Sequence, residues 1–65
     1  MRILFNGDSR EIGAADLSAA LEELGYGGAV VATAVNGEFV PAPQRRTARL
    51  SEGDRIEVLA PMQGG

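Results

Sequence analysis

Short apolar runs alternate with turn-forming residues over most of this chain. Residues 3–5 (ILF) are apolar and predict a strand over residues 2–6. Asn6-Gly7 follows, and this dipeptide favours the positive φ angles of a tight hairpin turn. We therefore predict that residues 9–12 return as a second strand beside the first.

One segment has helical rather than strand-like spacing. Its apolar positions, which share one helical face, are Leu17, Ala20, Leu21 and Leu24. Asp16 precedes them and is a suitable N-cap, because its carboxylate can accept hydrogen bonds from the first free N–H groups. Gly25 follows them and favours the left-handed conformation that ends many helices. Glu22 and Glu23 are expected to face solvent on the opposite side.

The middle of the chain predicts two strands joined by a second tight turn. Residues 30–35 (VVATAV) are β-branched and apolar enough for a central strand buried on both faces. Asn36-Gly37 predicts a hairpin turn, with residues 38–40 as the short strand after it. Pro41 and Pro43 end that strand, because neither residue has an N–H to donate to a sheet.

The last third predicts a loop, a turn and a final strand. Residues 44–50 are mainly polar and are expected to form a loop, and residues 51–54 (SEGD) form a turn. Residues 55–58 alternate between polar and apolar, which is typical of a half-buried strand, and residues 59–60 continue it. Pro61 then separates the remaining residues from the sheet.

The order of elements predicts the fold. A single main helix packed on one face of a mixed four- to five-stranded sheet is a two-layer α+β domain. The first and last strands can lie side by side and parallel at the sheet centre, which is the β-grasp arrangement. Their expected buried residues are Ile3, Leu4, Phe5, Ile56 and Val58. We predict one such domain over residues 1–60 and a flexible tail over residues 61–65.

The amino-acid composition limits the catalytic groups that the chain can supply. The 65 residues fit one domain, and they include no His, no Cys and no Lys. These absences remove the usual general base, the thiolate nucleophile and the Schiff-base amine. We therefore expect a protein that is not an enzyme by itself and that binds neither a metal nor a cofactor of its own.

Charge and hydropathy argue against some partners and cellular locations of the protein. The formal net charge of −3 argues against nucleic acid as a partner. No apolar stretch is long enough to cross a membrane, and the first residues do not resemble a signal peptide. A cytoplasmic protein without membrane contact is expected. Arg45, Arg46 and Arg49 form a basic group, which we interpret as a solvated loop, with docking to an acidic partner or RNA as the alternative.

The chain closes with Gly64-Gly65. Two glycines make a slender backbone that could thread a narrow channel and present a carboxylate to another enzyme. The alternative for the same residues is a frayed end without function.

Several segments together resemble a known family. They are residues 3–7 (ILFNG), 35–41 (VNGEFVP), 52–58 (EGDRIEV) and 61–65 (PMQGG). Across nearly its whole length the chain resembles the ThiS family, the ubiquitin-like β-grasp sulfur carriers of thiamine biosynthesis. One departure is visible after Pro41, where the family often has a Gln-Trp pair and this chain has no Trp.

The resemblance implies a role for the tail. A partner adenylyltransferase of the ubiquitin-activating type would use ATP and Mg²⁺ to adenylate the carboxylate of Gly65. Sulfur from a cysteine desulfurase-type source would convert it to a thiocarboxylate, and thiazole synthase would consume that sulfur. Gly64, Gln63 and Met62 would thread the partner's active site.

A docking surface for these partners is expected on the open face of the sheet, because exposed apolar patches often mark interaction sites. Phe5, Val40 and Leu59 are the candidates for this surface.

Three other functions fit parts of the sequence. The small subunit of molybdopterin synthase is also a Gly-Gly-ended β-grasp sulfur carrier, although it is usually longer and opens differently. A ubiquitin-like modifier that doubles as a tRNA-thiolation carrier would leave lysine-linked conjugates in cells. An RNA-binding β-grasp module shares the turn segments, but the acidic charge argues against it.

Overall fold

The computed structural model describes residues 1–60, and residues 61–65 lie outside the described part of the chain. The elements within it are β1 (Arg2–Phe5), β2 (Asp8–Glu11), α1 (Leu17–Glu23), β3 (Ala32–Val35), β4 (Glu38–Val40), a 3₁₀ helix (Ala42–Thr47) and β5 (Arg55–Leu59). The predicted order of strands and helix is therefore confirmed.

The five strands form one mixed sheet in the order β2-β1-β5-β3-β4. β1 and β5 are parallel neighbours, and Phe5 lies beside Ile56. The other neighbouring strands are antiparallel. The predicted parallel pairing of the first and last strands is confirmed, and with it the β-grasp fold.

A single core lies between α1 and one face of the sheet. Its buried members are Ile3, Phe5, Ile12, Leu17, Ala20, Leu21, Leu50, Ile56 and Val58. The helix contributes the face predicted from its spacing, with Leu24 partly buried at its end. A helix of seven residues is too short to be stable alone, so this packing must hold it in place.

Local signals at the two ends of α1 act as predicted. The carboxylate of Asp16 accepts a hydrogen bond from the Ala19 N–H at 2.8 Å. Gly25 has φ +94° just after the helix. Glu23 is exposed, as expected, but its carboxylate also accepts hydrogen bonds from the N–H groups of Gly13 and Ala14, so it ties the helix to the segment before it.

Both predicted hairpin turns are present. Asn6 and Gly7 have φ angles of 49° and 88°, and Asn36 and Gly37 have 51° and 84°. Two successive positive φ angles are the signature of the turn that matches the natural twist of a hairpin. The strand after the first turn begins at Asp8, one residue earlier than predicted.

The prediction of a strand buried on both faces at residues 30–35 is wrong. β3 begins at Ala32 and lies inside the sheet, but only Thr33 is fully buried, and Val30 before it is 81% exposed. Leu4 is also exposed rather than buried. The physical reason is that one short helix covers only one face of the sheet.

The predicted loop at residues 44–50 is also more ordered than expected. Residues 42–47 form the 3₁₀ helix, which begins at a proline-rich segment. The chain then pairs with the start of α1, where the Leu50 N–H donates to the Ala15 carbonyl and the Leu17 N–H donates to the Ala48 carbonyl. This pairing buries Leu50 in the core.

None of the helices over residues 1–60 combines the length and the apolar character that a membrane crossing requires.

Candidate functional site

The side of the sheet opposite α1 is uncovered by the described part of the chain, and we call it the open face. Because side chains alternate along a strand, each strand contributes every second residue to it. Its central members are Leu4, Ala32, Ala34, Phe39, Arg55, Glu57 and Leu59. Three of these are large apolar residues exposed to solvent: Leu59 at 71%, Phe39 at 68% and Leu4 at 38%.

The strand register creates a shallow depression on this face. Ala34 lies beside Phe39 on one side and Glu57 on the other, and Ala32 lies beside Leu59. The two alanines are small, so a depression of about 200 Å³ remains between the flanking side chains of Phe39 and Leu59. The polar side chains of Asn6 and Glu57 also line it. An apolar centre with a polar border is the usual anatomy of a protein-binding surface.

The structure separates the three residues predicted to dock partners. Leu59 is exposed on the open face, as expected. Val40 is half-buried on the opposite side of the sheet beside Thr33, so the prediction that it lies on the open face is wrong. Phe5 is only 5% exposed, which confirms the prediction that it belongs to the core, and its assignment to the docking surface is wrong.

The reason for the burial of Phe5 is its register on β1. Phe5 lies beside Ile56 and shares its inward direction. Its ring packs against Tyr26, with ring centroids 5.5 Å apart, and the Arg10 guanidinium lies 5.5 Å from its centroid. The aromatic residue that does face outward is Phe39, which sequence reasoning missed. Its alternation with Val40 in β4 was the available signal.

The three arginines of the basic group also differ in burial. Arg45 is partly buried, and its Nε donates to Thr33 Oγ1 at 3.0 Å while its Nη2 donates to the Val31 carbonyl at 2.6 Å. Thr33 in turn donates to the Val40 carbonyl at 2.7 Å. Arg45 therefore joins the 3₁₀ helix to β3 and is not part of a solvated loop. Arg46 and Arg49 are exposed.

The segment predicted to carry the chemistry follows β5 in the sequence. β5 runs through the sheet centre to Leu59, and Ala60 follows as the last described residue. Met62, Gln63, Gly64 and Gly65 lie outside the described residues, so their roles stay predictions. Over residues 1–60, the acidic side chains form no cluster of three that could hold a metal ion.

The fold and the open face together are typical of one class of protein. A small ubiquitin-like β-grasp domain, with an apolar open face and a central last strand that leads toward Gly-Gly, has the architecture expected for a carrier that other enzymes recognise. Comparison with known proteins agrees. The model of the ThiS family matches residues 3–65, and this chain belongs to that family.

Two solved structures resemble the chain closely. The crystal structure of the thiamine biosynthesis protein ThiS from Geobacter metallireducens has 28% identity and a TM-score of 0.85, with full coverage of both chains. A solution structure of a thiamine biosynthesis protein from the same organism has 25% identity and a TM-score of 0.77, covering all of this chain and 88% of that one. A search of curated protein sequences found no match. Family membership supports a sulfur-carrier role that involves enzymes of the thiamine pathway.

Proposed function

We propose that this chain carries sulfur for thiazole formation in thiamine biosynthesis, with the carboxylate of Gly65 as the attachment point. A partner adenylyltransferase of the ubiquitin-activating type activates that carboxylate, and thiazole synthase receives the sulfur. The chain is a protein co-substrate of these enzymes in the cytoplasm and binds no cofactor of its own. The observation that carries this proposal is the family match, which extends through Gly65.

The chemistry requires activation because a carboxylate is a poor electrophile. Attack of the Gly65 carboxylate on the α-phosphate of ATP, which the partner holds with Mg²⁺, gives an acyl-adenylate and releases pyrophosphate. The terminal sulfur of a cysteine persulfide, formed by a cysteine desulfurase-type source, then attacks the acyl carbon and expels AMP. A thiol cleaves the resulting acyl disulfide, which leaves the thiocarboxylate on Gly65 and a disulfide on the sulfur donor.

The amino-acid composition of the chain supports this division of labour. It has no His, Cys or Lys, so the proton transfers and the sulfur nucleophile must come from partner enzymes. Glycine at the last two positions brings no side chain that would hinder the attacking sulfur. Met62 and Gln63 precede them and, in this proposal, line the path into the partner's active site together with Gly64.

The open face is the docking surface in this proposal, and the adenylyltransferase is its first partner. Leu59 and Phe39 present exposed apolar area, and burying that area against a partner favours binding. Leu59 is also the last residue of β5 and precedes Gly65 in the sequence, so a partner that binds Leu59 binds the chain just before the segment that carries Gly65. Binding through one face of a small domain suits a carrier, because the same surface can be released and offered to the next enzyme.

The direct test is the mass of the intact protein after incubation with ATP, Mg²⁺, a sulfide source and the candidate adenylyltransferase. We expect a gain that corresponds to one oxygen replaced by one sulfur, with fragmentation that places it on Gly65. The matched control is a variant without Gly65, which should keep the fold and fail to gain sulfur or to support ATP–pyrophosphate exchange.

Two outcomes would contradict the proposal. Exchange that persists in the variant without Gly65 would move the reacting group elsewhere. An unchanged mass with a folded protein and an active enzyme would exclude the carrier role and favour a ubiquitin-like modifier, which a search for lysine-linked conjugates would then test.

A further inference from the structure

The two Asn-Gly turns of the molecule hold the same strand at opposite ends. Asn36 lies at the start of β5, where its Oδ1 accepts from the Arg55 N–H at 3.0 Å and its own N–H donates to the Arg55 carbonyl at 2.8 Å. Asn6 lies at the other end of β5 and binds Val58. Hairpin turns need Asn-Gly only for its backbone conformation, so these side-chain contacts are an additional role.

The amide of Asn6 takes the place of a peptide group. The Asn6 N–H donates to the Ile56 carbonyl at 2.9 Å, which continues the parallel pairing of β1 with β5. The chain then turns away, because Asn6 has φ 49°. In place of the next backbone group, Asn6 Oδ1 accepts from the Val58 N–H at 2.9 Å and Asn6 Nδ2 donates to the Val58 carbonyl at 3.2 Å. A side-chain amide has one acceptor oxygen and two donor hydrogens, so it can satisfy both groups at once.

The contact between Asn6 and Val58 lies close to the end of β5. Val58 is two residues before Ala60, where the described part of the chain ends. Residues 56–59 of β5 pair with β3 on the other side, where Val58 lies beside Thr33 and Leu59 beside Ala32. Asn6 therefore holds the end of β5 from one side while β3 holds it from the other.

We infer that Asn6 is a positioning residue that aims the segment after β5 at the partner's active site. This inference rests on the proposed function, because it assumes that Gly65 is the group delivered. Asn6 touches neither ATP nor the reacting carboxylate in this scheme. It acts through Val58, by keeping the end of the strand in one orientation while the open face docks.

Asn36 offers a matched control within the same chain. It is also an Asn in a positive-φ position before Gly, and its side chain also makes two hydrogen bonds at β5, one from Arg55 and one to Asp54. Replacement of either residue with glycine keeps the turn conformation available and removes the side-chain amide. The two variants, Asn6→Gly and Asn36→Gly, thus lose similar contacts at opposite ends of the strand.

The experiment measures ATP–pyrophosphate exchange with the carrier as the varied substrate, together with amide hydrogen exchange in the free protein. Asn6 also lines the depression on the open face, so its loss can weaken binding slightly. We expect Asn6→Gly to raise KM for the carrier by about twofold at most and to lower kcat by about tenfold, since misaimed reactants lose rate beyond any loss of binding. Asn36→Gly should leave both constants within about twofold, because its contacts lie at the start of β5 and not at Val58. Hydrogen exchange should accelerate at Val58 in the first variant and at Arg55 in the second.

Equal effects of the two variants on kcat would overturn the inference, because they would indicate a general loss of stability. An unchanged kcat in Asn6→Gly would overturn it as well. Failure of the wild-type chain to support exchange would instead contradict the proposed function. In that case unaltered hydrogen exchange at residues 58–60 in Asn6→Gly would show that Asn6 does not hold this end of the strand, and faster exchange there would show that it does.

Discussion

The two faces of one sheet carry different tasks in this protein. On the face toward α1, Ile56 and Val58 of β5 are buried in the core. On the open face, Leu59 of the same strand is 71% exposed. Alternation along a strand therefore puts residues of similar hydrophobicity into opposite surroundings. β5 therefore links the stability of the domain to its proposed recognition surface.

Changes on the core face should mainly affect folding. Ile56→Ala removes a side chain that is fully buried at the sheet centre, and we expect a loss of about 3 kcal/mol in the free energy of unfolding. A domain of this size has little stability to spare, so the variant should be partly unfolded at 37 °C. Thermal and urea unfolding followed by circular dichroism would measure this loss. A loss below about 1 kcal/mol would mean that the core can collapse around the cavity.

Changes on the open face should mainly affect recognition. Leu59→Ala removes exposed apolar area, and we expect the KM for the carrier in ATP–pyrophosphate exchange to rise about tenfold, which corresponds to about 1.4 kcal/mol. Its free energy of unfolding should change by less than about 0.5 kcal/mol, because the site is a surface position. An open face without a role in docking would leave the KM unchanged.

Val30 supplies the control for the open-face prediction. It is an apolar residue that is even more exposed than Leu59, but it lies before β3 and outside the sheet. Val30→Ala should therefore leave the KM for the carrier within about twofold, as expected for a residue outside the interface. Equal increases in the two variants would show that general surface hydrophobicity, rather than the open face, determines binding.

Two arginines of the 3₁₀ helix differ in their contacts with the sheet, and we expect smaller effects from replacing them than from the changes above. Arg45→Met removes the hydrogen bonds to Thr33 and Val31, and we expect a loss of about 1 kcal/mol in the free energy of unfolding. Arg46→Met is the matched control, because Arg46 is exposed, and it should change the same quantity by less than about 0.5 kcal/mol. Denaturant unfolding of both variants would compare them. Equal free energies of unfolding in the two variants would show that the hydrogen bonds of Arg45 make no net contribution to stability.

Much of the architecture could be predicted because its signals are local. Asn6-Gly7 and Asn36-Gly37 both adopt the predicted turns, and Asp16 caps the helix as expected. The parallel pairing of β1 with β5 is a long-range feature, but it followed from the order of elements around a single helix. The family resemblance is confirmed by the match over residues 3–65.

The exposure of individual residues was harder to predict. Leu4 and Phe5 are neighbours in an apolar run, and nothing in the run itself states which of them the helix covers. The same ambiguity hid Phe39, although β4 was predicted with the correct bounds. The sequence predicts Arg45 in a solvated loop because its actual partners, the Thr33 hydroxyl and the Val31 carbonyl, are distant in sequence.

By itself, the sequence determined the main helix, the five strands and their order, because turns, caps and periodicity depend on neighbouring residues, and its motifs indicated the family. Only the tertiary structure decided which face of the sheet is open, because that depends on where the one helix packs. It also decided that Asn6 reaches across to Val58, 52 positions along the chain, where the end of β1 meets β5. Contacts of this kind depend on strand register in three dimensions, and no local pattern encodes them.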